Sequence, residues 1–438
     1  MLKKQKNMKK DLIVEDELYL LAYFDQLTML PNEKYFYEEL VNNIENEVGN
    51  EIYAVAYLKI NDLEKLHNIL GFEKINNFVK LLAEQVQKIN KNAELISLYR
   101  GNQFLILYKP DNIDNLKKRL AKTLKYIKDF IAENNYDYLL NINLGAAIYP
   151  EHGNTAASLL TKAHNAMYTI KENRNTYQIY NEKVYFKKIE KEVLKHDLKN
   201  AIENNDFYLK YQPKVQTVGE KITALEALIR WEHEEKGIIS PAKFIPLAEK
   251  TGLIKNIGIF VLKEAFETLK LWKEKGLTNI KICINISLSE LNDQEIIKNI
   301  KYIADAYSID NSLIEFEITE RSFTEIKRET LDELKNMGFS IALDDFGTGY
   351  SSLSFLNELS IDVLKLDKSF IDNITEEKTK MLVRGIIEIS HNLNIKVVAE
   401  GAEVKEQLEI LKELNCDYIQ GYYYYRPMAK NKIEKLLN

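Results

Sequence analysis

The sequence predicts a two-domain α/β protein, an α/β sandwich followed by a TIM-like (β/α)8 barrel. Three observations predict it. At 438 residues the chain suits two or three domains. Its front part interleaves helical periodicities with a few strand-like runs, the pattern of a layered sandwich. From about residue 206 onward it carries eight short β-type runs, most of them separated by helical patterns, the pattern of a barrel. A doubly wound open sheet is the alternative there, but no Gly-x-Gly-x-x-Gly follows any of these runs.

Residues 1–17 form an N-terminal segment; Met1 to Lys10 are basic and no apolar signal-peptide stretch follows. The front domain is expected over 18–181. Helical patterns cover Asn32 to Glu47, Phe72 to Ile89, Ile113 to Glu133 and Ala157 to Glu172. Strand-like runs cover Ile52 to Leu58, Leu95 to Leu98, Phe104 to Tyr108 and Leu139 to Ala147. Over 182–204 the apolar positions Ile189, Val193, Leu198 and Ile202 suit an amphipathic connecting helix. The barrel is expected over 205–438. Its β-type runs are Phe207–Tyr211, Ile222–Trp231, Ile280–Ile286, Leu313–Thr319, Ser340–Asp344, Val363–Asp367, Lys396–Glu400 and Asp417–Tyr423. Helical patterns such as Ile257–Lys275, Leu288–Ala306 and Lys378–Asn392 lie between them.

Composition narrows the partners. Sixty basic residues stand against 66 acidic ones, a net charge of -6, which gathers neither a nucleic-acid polymer nor an anionic membrane. A polyanionic ligand must therefore be held locally, by metals or a few placed cations. No apolar run reaches the roughly 20 residues of a membrane span, so no direct membrane insertion is expected. Cys283 and Cys416 read as small buried thiols in a reducing compartment, and a cytoplasmic protein fits.

The strand ends carry the chemistry. Glu226, Asn285, Glu317 with Glu320, Asp344-Asp345, Lys365 with Asp367, Glu400 and Gln420 fall at the ends of successive runs. In a barrel those ends share one rim, where such folds place their active sites. A single acid there is ordinarily a solvated loop residue, but five strands each delivering one would repel unless cations neutralise them. Oxygen ligands without clustered His or Cys point to Mg²⁺ or Mn²⁺ rather than zinc. Asp344 and Asp345 together could reach two ions, and two metals about 3.5–4 Å apart suit in-line displacement at phosphorus. A metal-dependent phosphoesterase follows from these residue types.

Glu226-Ala227-Leu228-Ile229-Arg230-Trp231, Pro241 to Glu249, Glu317-Ile318-Thr319-Glu320 and Asp344 to Ser352 resemble, in order, the motifs of the EAL family of cyclic di-GMP phosphodiesterases. Lys365-Leu366-Asp367, Ala399-Glu400-Gly401 and Gln420-Gly421-Tyr422 complete the likeness. It implies hydrolysis of cyclic di-GMP to linear pGpG with two divalent cations, Mg²⁺ or Mn²⁺, and inhibition by Ca²⁺. Glu226, Asn285, Glu317 and Asp344 would hold one cation; Asp344, Asp345 and Glu400 the second, with Gln420 beside it. Lys365 would orient and help activate the attacking water. Glu320 would anchor the loop from Asp345 to Ser352, which in the family couples homodimerisation of the barrel to the site. Gln212, Leu228, Arg230 and Arg426 would contact the dinucleotide. Lys214 after Pro213 and Ala402 after Gly401 depart from the pattern but fall beside this set.

The front domain resembles the GGDEF, nucleotide-cyclase-like family of diguanylate cyclases through Asp25 to Asn32, Leu144 to Ala147 and Ala166-Met167-Tyr168. Its signature reads Arg100-Gly101-Asn102-Gln103-Phe104, with a glycine and both acids replaced. The other metal-binding Asp aligns with Lys59, the guanine contacts with His67 and Asn76, and the inhibitory Arg-x-x-Asp with Lys91 to Glu94. Synthesis of cyclic di-GMP is excluded on this reading, and dimerisation or positioning of the barrel is the expected role. Lys171 and Arg174 keep phosphate-binding character, and GTP sensing is the alternative. A receptor that binds cyclic di-GMP without turning it over is the competing class for the barrel; such receptors typically lose metal ligands, and none is lost here.

Overall fold

The computed structural model describes residues 17–47, 51–170, 175–323, 325–347 and 360–437. It divides into two compact units, with the boundary between Glu192 and Val193.

The first unit is built on a five-stranded sheet. Its strands are β1 (Tyr53–Asn61), β2 (Leu95–Arg100), β3 (Gln103–Tyr108), β4 (Asn141–Tyr149) and β5 (Thr176–Ile179), in the order β2-β3-β1-β4-β5. Alternation along β1 explains the layering. Ala54, Ala56, Leu58 and Ile60 enter one core, with the helices Phe72–Ile89 and Ile113–Glu133. Tyr53, Val55 and Tyr57 enter another, with the helices Glu33–Glu45 and Ala156–Thr169. Helices therefore cover both faces, as the sandwich pattern predicts. The strand β5 and a short helix Leu63–Leu70 go beyond the sequence reading.

The second unit closes a barrel from β6 (Phe207–Gln216), β7 (Ile222–His233), β9 (Lys281–Asn285), β10 (Ile314–Thr319), β11 (Ser340–Phe346), β12 (Val363–Leu366), β13 (Lys396–Glu400) and β14 (Tyr418–Gln420), while β8 (Gly237–Ile239) extends β7 at the side. All eight predicted runs form strands, and seven are mutually parallel. The exception is β6, which pairs antiparallel with both β7 and β14. A five-residue turn joins β6 to β7 where a regular barrel would place a helix, and Gly219 and Glu220 take the positive φ such a turn needs. The predicted helix Leu288–Ala306 is broken in two, Leu288–Leu291 and Gln294–Tyr307, because Asp293 caps the second. Leu198 of the helix Glu182–Asn204 is buried in the barrel's outer core, with Leu194 and Ile202 packed against it.

Glu290 sits in the short helix after β9, where its carboxylate accepts from the Ser287 amide at 2.9 Å and hydroxyl at 2.6 Å. Burial pushes its pKa up to about 7, against the pull of the Ser287 bonds. A folded-state value above the ordinary 4.5 means the native protein holds a proton that the unfolded chain has released. This contribution to stability is full below 4.5 and is lost as pH rises through 7. Glu290→Gln is expected to remove that pH dependence, gaining on the order of 2 kcal/mol over wild type between pH 5 and pH 8. Urea midpoints at the two pH values measure it; an identical pH response in both proteins would refute it.

Candidate active site

The inward positions at the C-terminal ends of the parallel strands, together with β6, form one polar layer. Because β6 runs the opposite way, its early residues reach the rim: Gln212 stands opposite Glu226, and Lys214 opposite Ala224 one layer deeper. Glu226, Glu317, Asp344, Lys365 and Gln420 are buried there, and Glu400 is half-buried.

Lys365 is the hub. Its Nζ lies 2.8 Å from Glu317 Oε2, 3.0 Å from Asp344 Oδ1 and 2.8 Å from Glu400 Oε1, so carboxylates of three strands share one ammonium. Asn285 Nδ2 donates to Glu226 Oε1 at 2.7 Å, and Gln420 Nε2 donates to Glu226 Oε2. Gln420 Nε2 also lies 3.4 Å from Gln212 Oε1. Asp344, Asp345 and Glu400 each present an oxygen within 4.8 Å of the others. Beneath them Lys214 Nζ reaches Glu317 Oε1 at 2.6 Å and Glu315 Oε1 at 3.0 Å.

The electrostatics follow from burial and count. Six carboxylates (Glu226, Glu315, Glu317, Asp344, Asp345 and Glu400) gather around the ammonium groups of Lys214 and Lys365. Burial raises Glu317, but Lys214 and Lys365 outweigh it and hold it down to about 2. Burial raises Glu226 and Glu400 above the ordinary carboxylate range against the pull of Lys365, with further help from neighbouring acids. Burial and Asp344 raise Asp345. For Lys365 the carboxylates overcome burial and push it well above its ordinary value. Fully ionised, as bound cations would favour, the six carboxylates would exceed the two ammonium groups by four charges, the amount two divalent cations would balance. Gln420 Oε1 adds a buried acceptor with no hydrogen-bond partner. Hard oxygen donors short of positive charge fit Mg²⁺ or Mn²⁺.

Beside this layer, Asp345 takes a positive φ of 53° while its amide donates to Asp344 Oδ1 at 2.8 Å, within the register shift of β11 between Leu343 and Phe346. The Gly347 amide donates to Glu320 Oε2 at 2.8 Å, so Glu320 holds the first turn of that loop. Thr348 to Ser352, the rest of the expected anchored segment, lie outside the described residues, as do Lys171 and Arg174. Glu320, just past its expected run, and Asp367, the last residue of its run, both stand at helix starts. Glu320 opens the helix Glu320–Phe323, and Asp367 caps the helix Lys368–Asp372 by accepting from Ser369 N at 2.9 Å. Arg230 is half-buried and donates to the Ile229 carbonyl, Leu228 is half-buried, and Arg426 is exposed over the Tyr422 ring at 4.3 Å. These three stand apart from the ion-pair network of Lys365.

Lys214 and Glu315 were missed as members of the site by sequence reasoning. Period-two alternation was the available signal, since Gln212 and Lys214, like Glu315 and Glu317, share a strand face. Cys283 Sγ lies 3.3 Å from Glu315 Oε1, and this trio with Glu317 has the spacing of a metal site. The Lys214 ammonium already bridges both of its carboxylates, however.

In the first unit, the GGDEF-type signature forms the hairpin between β2 and β3, with Lys59 paired opposite Gln103. Lys59 and Arg100 lie close enough to His164 to lower its pKa, after the larger effect of its burial. The local charge is positive where a metal would need acids. Among the described residues, groups of three or more potential ligands occur in the barrel alone.

Residues 195–427, more than half of the chain, match the family described as EAL domain. The chain belongs to the EAL family. Residues 22–176 ahead of the EAL domain match the family described as diguanylate cyclase, GGDEF domain. Over 423 residues the chain is 31% identical to the bifunctional diguanylate cyclase/cyclic di-GMP phosphodiesterase MucR of Pseudomonas aeruginosa, covering 95% of this chain and 62% of MucR. It is 28% identical to the cyclic di-GMP phosphodiesterase NbdA of the same organism, covering 95% of this chain and 54% of NbdA. The chain thus spans little more than half the length of these relatives. A solved structure of the PaMucR phosphodiesterase in complex with c-di-GMP is similar to the EAL part, with a TM-score of 0.53 and 37% identity over 55% of this chain and 99% of that one. Among the described residues no helix is long and apolar enough to cross a membrane.

Proposed function

We propose that the EAL domain hydrolyses cyclic di-GMP to linear pGpG on the barrel rim. The observation that carries this reading is Lys365, one buried ammonium shared by Glu317, Asp344 and Glu400 in a layer short of positive charge. Two divalent cations, Mg²⁺ or Mn²⁺, would be held by Glu226, Asn285, Glu317 and Asp344 on one side and by Asp344, Asp345 and Glu400 on the other. When bound they supply a nucleophile near neutral pH and neutralise charge on the phosphoryl oxygens. Lys365 stays protonated, so it orients the attacking water and steadies the phosphoryl group as a fixed cation rather than as a base. Water adds at phosphorus, the bond to one bridging oxygen breaks, and that oxygen leaves with a proton. Gln212, Leu228, Arg230 and Arg426 contact the dinucleotide, and Gln420 positions Glu226. Ca²⁺, which prefers more ligands at longer distances, is expected to inhibit.

The test is turnover by purified protein with Mg²⁺ or Mn²⁺, products resolved by chromatography, and EDTA as control. Metal-dependent pGpG supports the reading. Binding of cyclic di-GMP with no product replaces it with a receptor.

The GGDEF domain is proposed to be inactive in synthesis and to serve dimerisation or positioning, with a homodimer formed through the EAL domain. Lys59, Arg100 and Gln103 support this, since they offer a metal no carboxylate. Incubation with GTP and Mg²⁺ is expected to yield no cyclic di-GMP, even with Asp344→Asn present to prevent its removal. Accumulation of cyclic di-GMP would overturn the assignment. Removal of residues 1–180 is expected to change activity or sedimentation. The buried free thiols Cys283 and Cys416 suit the proposed cytoplasmic location.

A further inference from the structure

We propose that Lys214 is a positioning residue for the metal site: its ammonium anchors Glu317 from beneath, so that one carboxylate oxygen is presented to the rim. The inference rests on the reading of Glu317 as a metal ligand. Lys214 is 2% exposed and Glu317 1%, and Lys214 Nζ binds Glu317 Oε1 at 2.6 Å while Lys365 binds Oε2 at 2.8 Å. The two oxygens are thereby divided, one facing the layer below and one facing the rim. Glu315, two residues earlier on the same face of β10, holds Lys214 from the other side at 3.0 Å, with Cys283 Sγ on the same Glu315 oxygen. The antiparallel direction of β6 makes this possible. It brings Lys214 one layer below Gln212, opposite Ala224, whose small side chain leaves room for the long lysine.

Without the anchor, Glu317 would be free to turn both oxygens toward Lys365, in competition with a cation. Partners that orient a ligand from behind typically change metal affinity by about 10–100-fold when removed. A structural role alone would lower stability and kcat without a selective effect on metal binding.

The experiment counts free Mn²⁺ by electron paramagnetic resonance during titration of the full chain. Lys214→Met, the double variant Lys214→Met/Glu315→Gln and Glu317→Gln are compared with wild type. The double variant removes both members of the deeper pair and so leaves no orphaned charge at position 315. A cavity of about 360 Å³ at the opposite end of the barrel reaches both positions and gives water access to them. Both Lys214 variants are expected to bind Mn²⁺ about 10–100-fold more weakly. Their kcat at saturating Mn²⁺ should stay within about threefold of wild type. If the single variant does not fold, the double variant decides. Wild-type Mn²⁺ affinity in a folded Lys214 variant overturns the proposal, as does a loss of kcat that excess Mn²⁺ cannot restore. If Glu317→Gln loses Mn²⁺ while the Lys214 variants keep it, this inference alone fails. If Glu317→Gln binds Mn²⁺ normally, the ligand role of Glu317 fails with it.

Discussion

Asp344→Asn is expected to lower kcat for cyclic di-GMP by about a thousandfold or more at saturating Mn²⁺, close to 4 kcal/mol of transition-state stabilisation. Asp344 closes the triad with Asp345 and Glu400, and it is one of three carboxylates on Lys365. Under the proposed assignment it is the one ligand common to both cations. Replacing its charged oxygen with an amide weakens both sites at once, so excess metal should restore little. The fold should tolerate the change. Asparagine is the same size, its remaining oxygen can still accept from the Asp345 amide, and Lys365 keeps Glu317 and Glu400. Melting temperature and product formation therefore separate cleanly. A folded variant with kcat within tenfold of wild type would remove Asp344 from its central place.

The barrel and its rim were legible because most of the parallel strands are short, apolar and closed by a polar residue. Glu226, Glu317, Asp344, Lys365, Glu400 and Gln420 all arrive in the layer where the strand ends placed them. The direction of β6 was not legible. Hydrophobic alternation carries no sign, and a run reads alike in either direction; the turn at Gly219 was the one local cue. The missing direction also hid Lys214, since its depth in the barrel depends on it. Asp367 was placed inside its strand for another reason. An aspartate after a strand can be a rim acid and a helix cap at once: Asp367 caps the next helix through the Ser369 amide, while its charge still helps raise Asp345. In the front domain the changes at Lys59, Arg100 and Gln103 were legible as charge alone, and their shared position beside one hairpin emerged from pairing.

Lys365→Met is expected to separate two roles that one ammonium performs. Without a cation at the rim, Lys365 holds together Glu317, Asp344 and Glu400, even though burial pushes Glu400 up to about 8 against its pull. Methionine fills similar volume and leaves these carboxylates with Lys214 on Glu317 as their remaining ammonium contact. Breaking a buried charge network of this kind costs about 3–5 kcal/mol. The metal-free variant should therefore melt roughly 10 °C lower, given about 2–4 °C per kcal/mol for a domain of this size. Mn²⁺ should recover most of that loss, because the cations take over the same oxygens and bind only the folded state. Turnover should not follow. If Lys365 also orients the attacking water, kcat remains about a thousandfold down in the metal-saturated variant. If it served only as a counter-charge, Mn²⁺ would return stability and kcat together. Calorimetry and product analysis on the same metal-saturated sample distinguish the two, and recovery of both would strike Lys365 from the reacting groups while leaving the metal ligands in place.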